Sequence, residues 1–315
     1  MNISIIIPLL NEQDSLKELA NSIDQVLNAY SLSYEIILID DGSNDGSWKI
    51  IEELTNENSF IKGIRFQRNY GKSQALHSGF LKSQGEVVFT MDADLQDDPK
   101  EIPEMYDMII NQNYDLVSGW KKKRFDSIIF KNIPSKIFNF AARLTSGIKL
   151  NDFNCGLKAF KKEVVKTINV YGEMHRYIPV LAKNEGFLKI GEKVVNHRPR
   201  KHGKTKFGPS RFLHGFLDLL TIWFISSFGK RPMHLFGSLG MMLILIGFAF
   251  AIYLGYDKLI INPGGRLITE RPEFFISLTT MIIGSQFFSM GFIGELMLKN
   301  INKKPQYVIQ KETNL

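Results

Sequence analysis

Cysteine is nearly absent from this 315-residue chain: Cys155 stands alone, so no intrachain disulfide can form. No Gly-x-Gly-x-x-Gly fingerprint and no Walker A loop occurs, which removes the sequence grounds for a dehydrogenase or a P-loop kinase. No nucleic-acid reading motif accompanies the basic residues, so nucleic acid is not an expected partner. Behind Met1 comes the polar Asn2 and then an apolar run, without a basic n-region or cleavage site, and no cleaved leader is expected. Long apolar runs are missing from the first 200 residues but not from the last 100.

Charge is present but uneven. The net charge is +7, and the basic residues gather at 121–124, at 197–206 (HRPRKHGKTK) and at Lys299, Lys303 and Lys304. Such blocks suit nucleic acid, anionic lipid headgroups or a phosphorylated substrate. Two of the three lie beside apolar spans, which favours lipid phosphate.

The soluble part alternates strand and helix patterns. Apolar, β-branched runs begin near Ile3, Glu35, Ile61 and Val87, each followed by a helical pattern, such as Leu16, Leu19, Ile23, Val26 and Leu27 on one face. Further strands are expected at 115–120 and 191–195, with a helix around 128–144. This alternation predicts a doubly wound, mostly parallel α/β sheet. Three of the first four strands end in polar residues: Asn11 and Glu12, Asp40 and Asp41, then Asp92 and Asp94. Ligands of open α/β sheets bind at the carboxyl ends of strands, so these groups should converge on one edge. Two carboxylates two residues apart repel unless a cation or proton sits between them. A hard divalent cation that also holds substrate phosphate fits that need, and a solvated acidic turn is the bland alternative.

The segments IIIPLLNE, ILIDDGSNDGS, RNYGKSQALHSGF and MDADLQDDP, in this order and spacing, resemble family 2 glycosyltransferases of GT-A fold. The segments at 172–182 (GEMHRYIPVLA) and 197–207 narrow the likeness to bacterial polyprenyl-phosphate glycosyltransferases, relatives of dolichol-phosphate mannose synthase. Arg200, Gly203, Thr205, Lys206 and Phe207 fit that group's R-x-x-G-x-S/T-K-aromatic pattern. The resemblance covers roughly residues 3 to 308, and it implies a nucleotide-sugar donor. Pro8, Asn11 and Glu12 would line the nucleoside pocket, Leu10 would bind the nucleotide sugar with them, and Asp40 or Asp41 would meet base or ribose. Asp92 and Asp94 would flank the diphosphate, with Asp92, Asp94 and Gln96 around Mg²⁺ or Mn²⁺, and Lys72 and Ala93 would also bind the nucleotide sugar. Asp94, Asp152 and Arg200 are the catalytic candidates; Asp152 would orient the acceptor or act as base. Lys123, Arg124, Arg200 and Lys206 are candidates to hold phosphate, Arg by bidentate capture and Lys as a point charge. The family's Gly-Phe pair is Gly156-Leu157 here. The Q-x-x-R-W motif of processive polysaccharide synthases is missing.

Residues 211–232 read as an interfacial helix, and 233–256 and 274–295 as two membrane spans. Lys230 and Arg231 precede the first span and Lys299, Lys303 and Lys304 follow the second, while the loop between them balances three acidic and three basic residues. The positive-inside rule then predicts both ends, the domain at 1–210 and the tail at 298–315, in the cytoplasm. The expected reaction is inverting transfer of a hexose, from UDP-glucose or a related UDP-sugar, to undecaprenyl phosphate. A GDP donor, a glycan-extending transferase and a non-catalytic membrane scaffold stand as alternatives. Homo-oligomers are implied only by the resemblance.

Overall fold

The computed structural model describes residues 1–122, 139–140, 142–144, 146–172, 174–199, 231–299 and 309–314. The chain divides into two units, Met1–Ile222 with Pro305–Leu315, and Trp223–Lys304.

The first unit is built on an eight-stranded sheet. In chain order its strands are β1 (Ile3–Leu9), β2 (Tyr34–Asp40), β3 (Ile61–Phe66), β4 (Val87–Thr90), β5 (Leu116–Trp120), β6 (Lys158–Lys161), β7 (Ile190–Val194) and β8 (Ile309–Thr313). They lie in the order β7-β5-β6-β4-β1-β2-β3-β8. The central four are parallel, with Leu9 beside Asp40 and Asp40 beside Arg65, so their carboxyl ends form one edge. β1 and β2 are almost continuously buried, as expected for parallel strands covered on both faces. Each fully buried Ile of β1 contributes roughly 1.5–3 kcal/mol through removal from water. α1 (Leu16–Ala29), α2 (Ser47–Glu57), α3 (Lys72–Lys82) and α4 (Ile102–Ile110) supply the flanking helices. α3 approaches so closely that a Cβ on Gly79 would overlap the Ile6 side chain. α5 (Lys162–Thr167) and α6 (Ile178–Asn184) follow β6.

Two strands depart from the sequence reading. β6, shortly after Asp152 and not among the expected strands, is wedged antiparallel between β4 and β5. β8, inside the segment read as a cytoplasmic tail, pairs antiparallel with the edge strand β3. Asn314 ties it down further, its Nδ2 donating to the Thr55 carbonyl at 2.6 Å and the Ile61 carbonyl at 3.3 Å.

The second unit contains two long helices, α7 (Pro232–Tyr256) and α8 (Pro272–Lys299), close to the expected spans. At 25 residues α7 is about 37 Å long, enough to cross a hydrocarbon core. Glycines let the pair touch: a Cβ on Gly240 would overlap the Gly284 carbonyl and the Phe288 amide. Ser277 Oγ donates to the Gly247 carbonyl at 2.6 Å. Leu245, Phe248, Ile252 and Phe292 point outward, exposed. Only 17 % of the most apolar stretch of each helix is buried, where a core helix of a soluble protein would be mostly covered. The corner is closed by Arg271 Nη1 on Asp257 Oδ2 at 2.5 Å. The interfacial helix expected at 211–232 lies outside the described residues except for its last two.

Candidate active site

The loops after β1 and β2 hold each other. Asn11, at φ +53°, donates its amide to Ser43 Oγ at 2.8 Å, and its side-chain oxygen accepts the Asn44 amide at 2.9 Å. The Glu12 amide donates to Ser47 Oγ at 3.0 Å. Asp40 is fully buried; its Oδ1 accepts the Ser43 amide at 2.8 Å, and Arg65 Nε lies 3.5 Å from Oδ2. Asp41 accepts the amides of Tyr70 at 2.7 Å and Gly71 at 2.9 Å. Burial pushes the Asp41 carboxyl up to about 6, against the lowering by those two amides, and neighbouring Asp40 adds to the rise. Both aspartates therefore shape the loops through protein donors.

The Asp41 anchor fixes the turn that opens α3, where Gly71 adopts φ +95°. From that turn Lys72 reaches Asp92 and forms an ion pair with its Oδ1. Burial alone would raise the Asp92 pKa, but Lys72, Lys121 and Lys158 hold it well below the ordinary carboxylate range. The carboxylate rests on bare backbone, since a Cβ on Gly156 would overlap it.

Behind Asp92 the acidic loop is buttoned down. The Asp92 amide donates to Asp97 Oδ2 at 3.2 Å, and Lys121 pairs with Asp97 Oδ1 at 2.8 Å. Ala93 is buried, and Asp94, half-buried, accepts the Gln96 amide at 3.2 Å. Leu95 takes φ +60° to make the turn. The exit of β7 closes over this loop: His197 bridges Asp97, the Arg198 amide donates to the Gln96 carbonyl at 3.0 Å, and Arg198 pairs with Asp98 at 2.7 Å. The Gln96 side-chain amide donates to the Arg198 carbonyl at 3.5 Å.

A cavity of about 340 Å³ opens beside Asp92, lined among others by Pro8, Lys72, Asn154, Lys158, His175 and Arg176. Asp152 is not on its wall; it is buried, and its Oδ1 accepts the Asn154 amide at 3.1 Å, shaping the turn that presents Asn154 and Gly156. Lys158 is buried at the cavity floor against the Cys155 carbonyl, and burial lowers its pKa. Burial pushes the Cys155 thiol up to about 12, so it is inert. His175 is held neutral, first by burial and then by Lys72 and Arg176. Its own amide donates to Ser73 Oγ at 3.0 Å, and its Nδ1 lies 3.1 Å from the same oxygen.

Of the sequence candidates, Pro8, Lys72 and Asp92 meet in this cavity. Lys123, Arg124, Arg200 and Lys206, with Gly203, Thr205 and Phe207, lie outside the described residues. Asn154, Lys158 and Arg176 were not singled out, although a lysine flanked by apolar residues, as in LKAF, is costly to bury without a purpose. Among the described residues no three His, Cys, Asp or Glu side chains gather into a metal cage. A hard cation here would have Asp92 and Asp94 as its protein ligands and would take the remainder from substrate phosphate.

The sheet thus places an acidic loop and a lysine-lined cavity at the carboxyl ends of its parallel strands, where ligands of open α/β sheets bind. The Glycosyl transferase family 2 model matches residues 4–168, just over half of the chain, and the chain belongs to that family. It is 33 % identical over 316 residues to a dodecaprenyl-phosphate galacturonate synthase of Rhizobium johnstonii, covering 99 % of this chain and 93 % of that one. It is likewise 33 % identical to an undecaprenyl-phosphate 4-deoxy-4-formamido-L-arabinose transferase of Edwardsiella ictaluri, covering 98 % and 93 %. The fold is similar to glucosyl-3-phosphoglycerate synthase from Mycobacterium tuberculosis, solved with Mn²⁺, UDP-glucose and phosphoglyceric acid (TM-score 0.53, 17 % identity, 71 % of this chain and 79 % of that one). The fold is GT-A, with a pair of apolar helices after it.

Proposed function

We propose that this glycosyltransferase is metal-dependent and inverting, and moves a hexose from a UDP-sugar, such as UDP-glucose, to a polyprenyl phosphate such as undecaprenyl phosphate. The cavity at Asp92 carries the reading: Lys72, Lys158 and Arg176 offer cations to a diphosphate at the sheet edge, in a chain that also carries two membrane-length helices. The names of both relatives above, each a polyprenyl-phosphate enzyme, support the acceptor.

A divalent cation, Mg²⁺ or Mn²⁺, at Asp92 and Asp94 would neutralise charge on the departing diphosphate. The acceptor phosphate, with a second pKa of about 6, is already largely dianionic at neutral pH. Positioning then matters more than a strong base. The phosphate oxygen attacks the anomeric carbon in line; the bond from that carbon to the diphosphate breaks, and its electron pair leaves on the UDP. Asp152 acts through the Asn154 turn, and His175 stands at the cavity wall as a neutral imidazole.

Connectivity supports a membrane orientation. The sheet precedes α7, and β8 returns to the sheet after α8. This favours a spanning hairpin with both ends on the catalytic side, and the basic flanks favour the cytoplasmic face of the inner membrane for that side. The product would serve cell-envelope glycan modification.

The test is transfer of label from a panel of UDP- and GDP-sugars, with UDP-glucuronate and UDP-galacturonate included, into undecaprenyl phosphate by detergent-purified protein. Labelled lipid lost with EDTA and with Asp94→Asn would support the reading. Nucleotide binding without lipid labelling would favour a glycan-extending acceptor instead. No nucleotide binding would overturn the donor assignment.

A further inference from the structure

We infer that Lys72 guards the metal site: its ammonium occupies Asp92 until a donor diphosphate draws it away, so that the divalent cation enters with the nucleotide and not before it. The inference rests on the metal-dependent transferase reading above, but its first test needs no nucleotide.

Four observations point to it. Lys72 forms an ion pair with the carboxylate oxygen Oδ1 of Asp92. Both side chains still face the cavity, 37 % and 31 % exposed, so the pair is open to exchange with a ligand. The carboxylate has little room to move, because the Gly156 backbone lies against it and the Asp92 backbone amide is tied to Asp97. The lysine, by contrast, springs from a turn fixed by Asp41 through the Tyr70 and Gly71 amides, so only its flexible four-carbon stem needs to move.

The charges then set an order. With Lys72 in contact and Lys121 and Lys158 nearby, the Asp92 carboxylate is already surrounded by positive charge. A free divalent cation approaching it meets repulsion from these ammonium groups and must displace one of them. A diphosphate changes the balance. Its oxygens give the Lys72 ammonium a second anionic partner in the same cavity, Asp92 is released, and the phosphate supplies the cation with further oxygen ligands. Metal and diphosphate binding thus assist each other, and the assistance is reciprocal. Lys72 is a positioning residue in this scheme: it decides when Asp92 is available.

The experiment is titration of Mn²⁺ into the full-length protein in detergent, followed by calorimetry, with and without UDP, for wild type, Lys72→Met, Asp92→Asn and the double variant. Without nucleotide, Lys72→Met is expected to bind Mn²⁺ about tenfold more tightly than wild type, and the gain should vanish in the Asp92→Asn background. UDP should tighten Mn²⁺ binding to wild type by a larger factor than to Lys72→Met. In the absence of metal, UDP should bind Lys72→Met more weakly than wild type. Equal Mn²⁺ affinities for wild type and Lys72→Met without nucleotide would overturn the inference, as would a gain that survives Asp92→Asn. Failure of UDP to bind any form would count against the donor assignment alone, because the nucleotide-free arm stands apart from it. Thermal unfolding of each variant checks that the comparison is between folded proteins.

Discussion

Lys158 concentrates the tension of the site in one side chain. Its ammonium is buried beside the Cys155 carbonyl, a costly arrangement that helps keep Asp92 ionised. Lys158→Met matches its length without the charge. Turnover should fall by about 100-fold, the scale for removing one preorganised electrostatic contact. The melting temperature should hold or rise, since a buried charge is removed. Differential scanning fluorimetry beside the lipid-transfer assay separates the two effects. Asp41 makes a pH prediction. Its folded-state pKa, raised by burial to about 6, lies above the value of about 3.9 expected in the unfolded chain. Its contribution to stability is therefore fully present below about pH 4 and is lost as pH rises through 6. Function runs the other way: protonation weakens the acceptor for the Tyr70 and Gly71 amides that set the Lys72 turn. UDP affinity should drop as pH falls below about 6, and Asp41→Asn should flatten that profile. An unchanged profile in Asp41→Asn would show that another group titrates.

Secondary-structure elements carry a different kind of dependence. β8 protects the edge of β3, whose open backbone groups would otherwise invite pairing with another chain. Truncation after residue 308 removes that cover together with the Asn314 bonds to Thr55 and Ile61. The truncated protein should melt several degrees lower and show oligomers by size exclusion, about 1 kcal/mol being worth 2–4 °C at this size. A monodisperse truncation with wild-type melting would refute the protective role. The β6 insertion matters for the same structural reason: it carries Lys158 and follows directly on the turn of Asn154 and Gly156. Neither strand could be read in advance. KAFK is too short and charged, and IQKET has no apolar run, so each is a strand only because a neighbour offers hydrogen bonds.

At the scale of the whole molecule, the chain leaves the sheet for the helical hairpin and comes back to it. If the hairpin spans the inner membrane with both ends cytoplasmic, the turn between α7 and α8 faces the opposite compartment. Gly264, exposed in that turn with open space around its Cα, accepts a cysteine without a clash. With Cys155 buried and inert, Gly264→Cys should be labelled in intact cells by a membrane-impermeant maleimide. Protection in intact cells with labelling after lysis would invert the orientation. What residue order alone determined was the parallel core, the acidic edge and the two long apolar helices. Each is written in local periodicity: β-branched runs ending at Asp40 and Asp92, and helices long and apolar enough to cross a membrane. What only tertiary structure decided was which acidic groups face a cavity. Asp40 and Asp92 read alike along the chain, yet Arg65 and Ser43 enclose the first, while Gly156 and Lys72 present the second to a cavity. Direction and burial of a carboxylate depend on partners distant in sequence, and no local pattern encodes them.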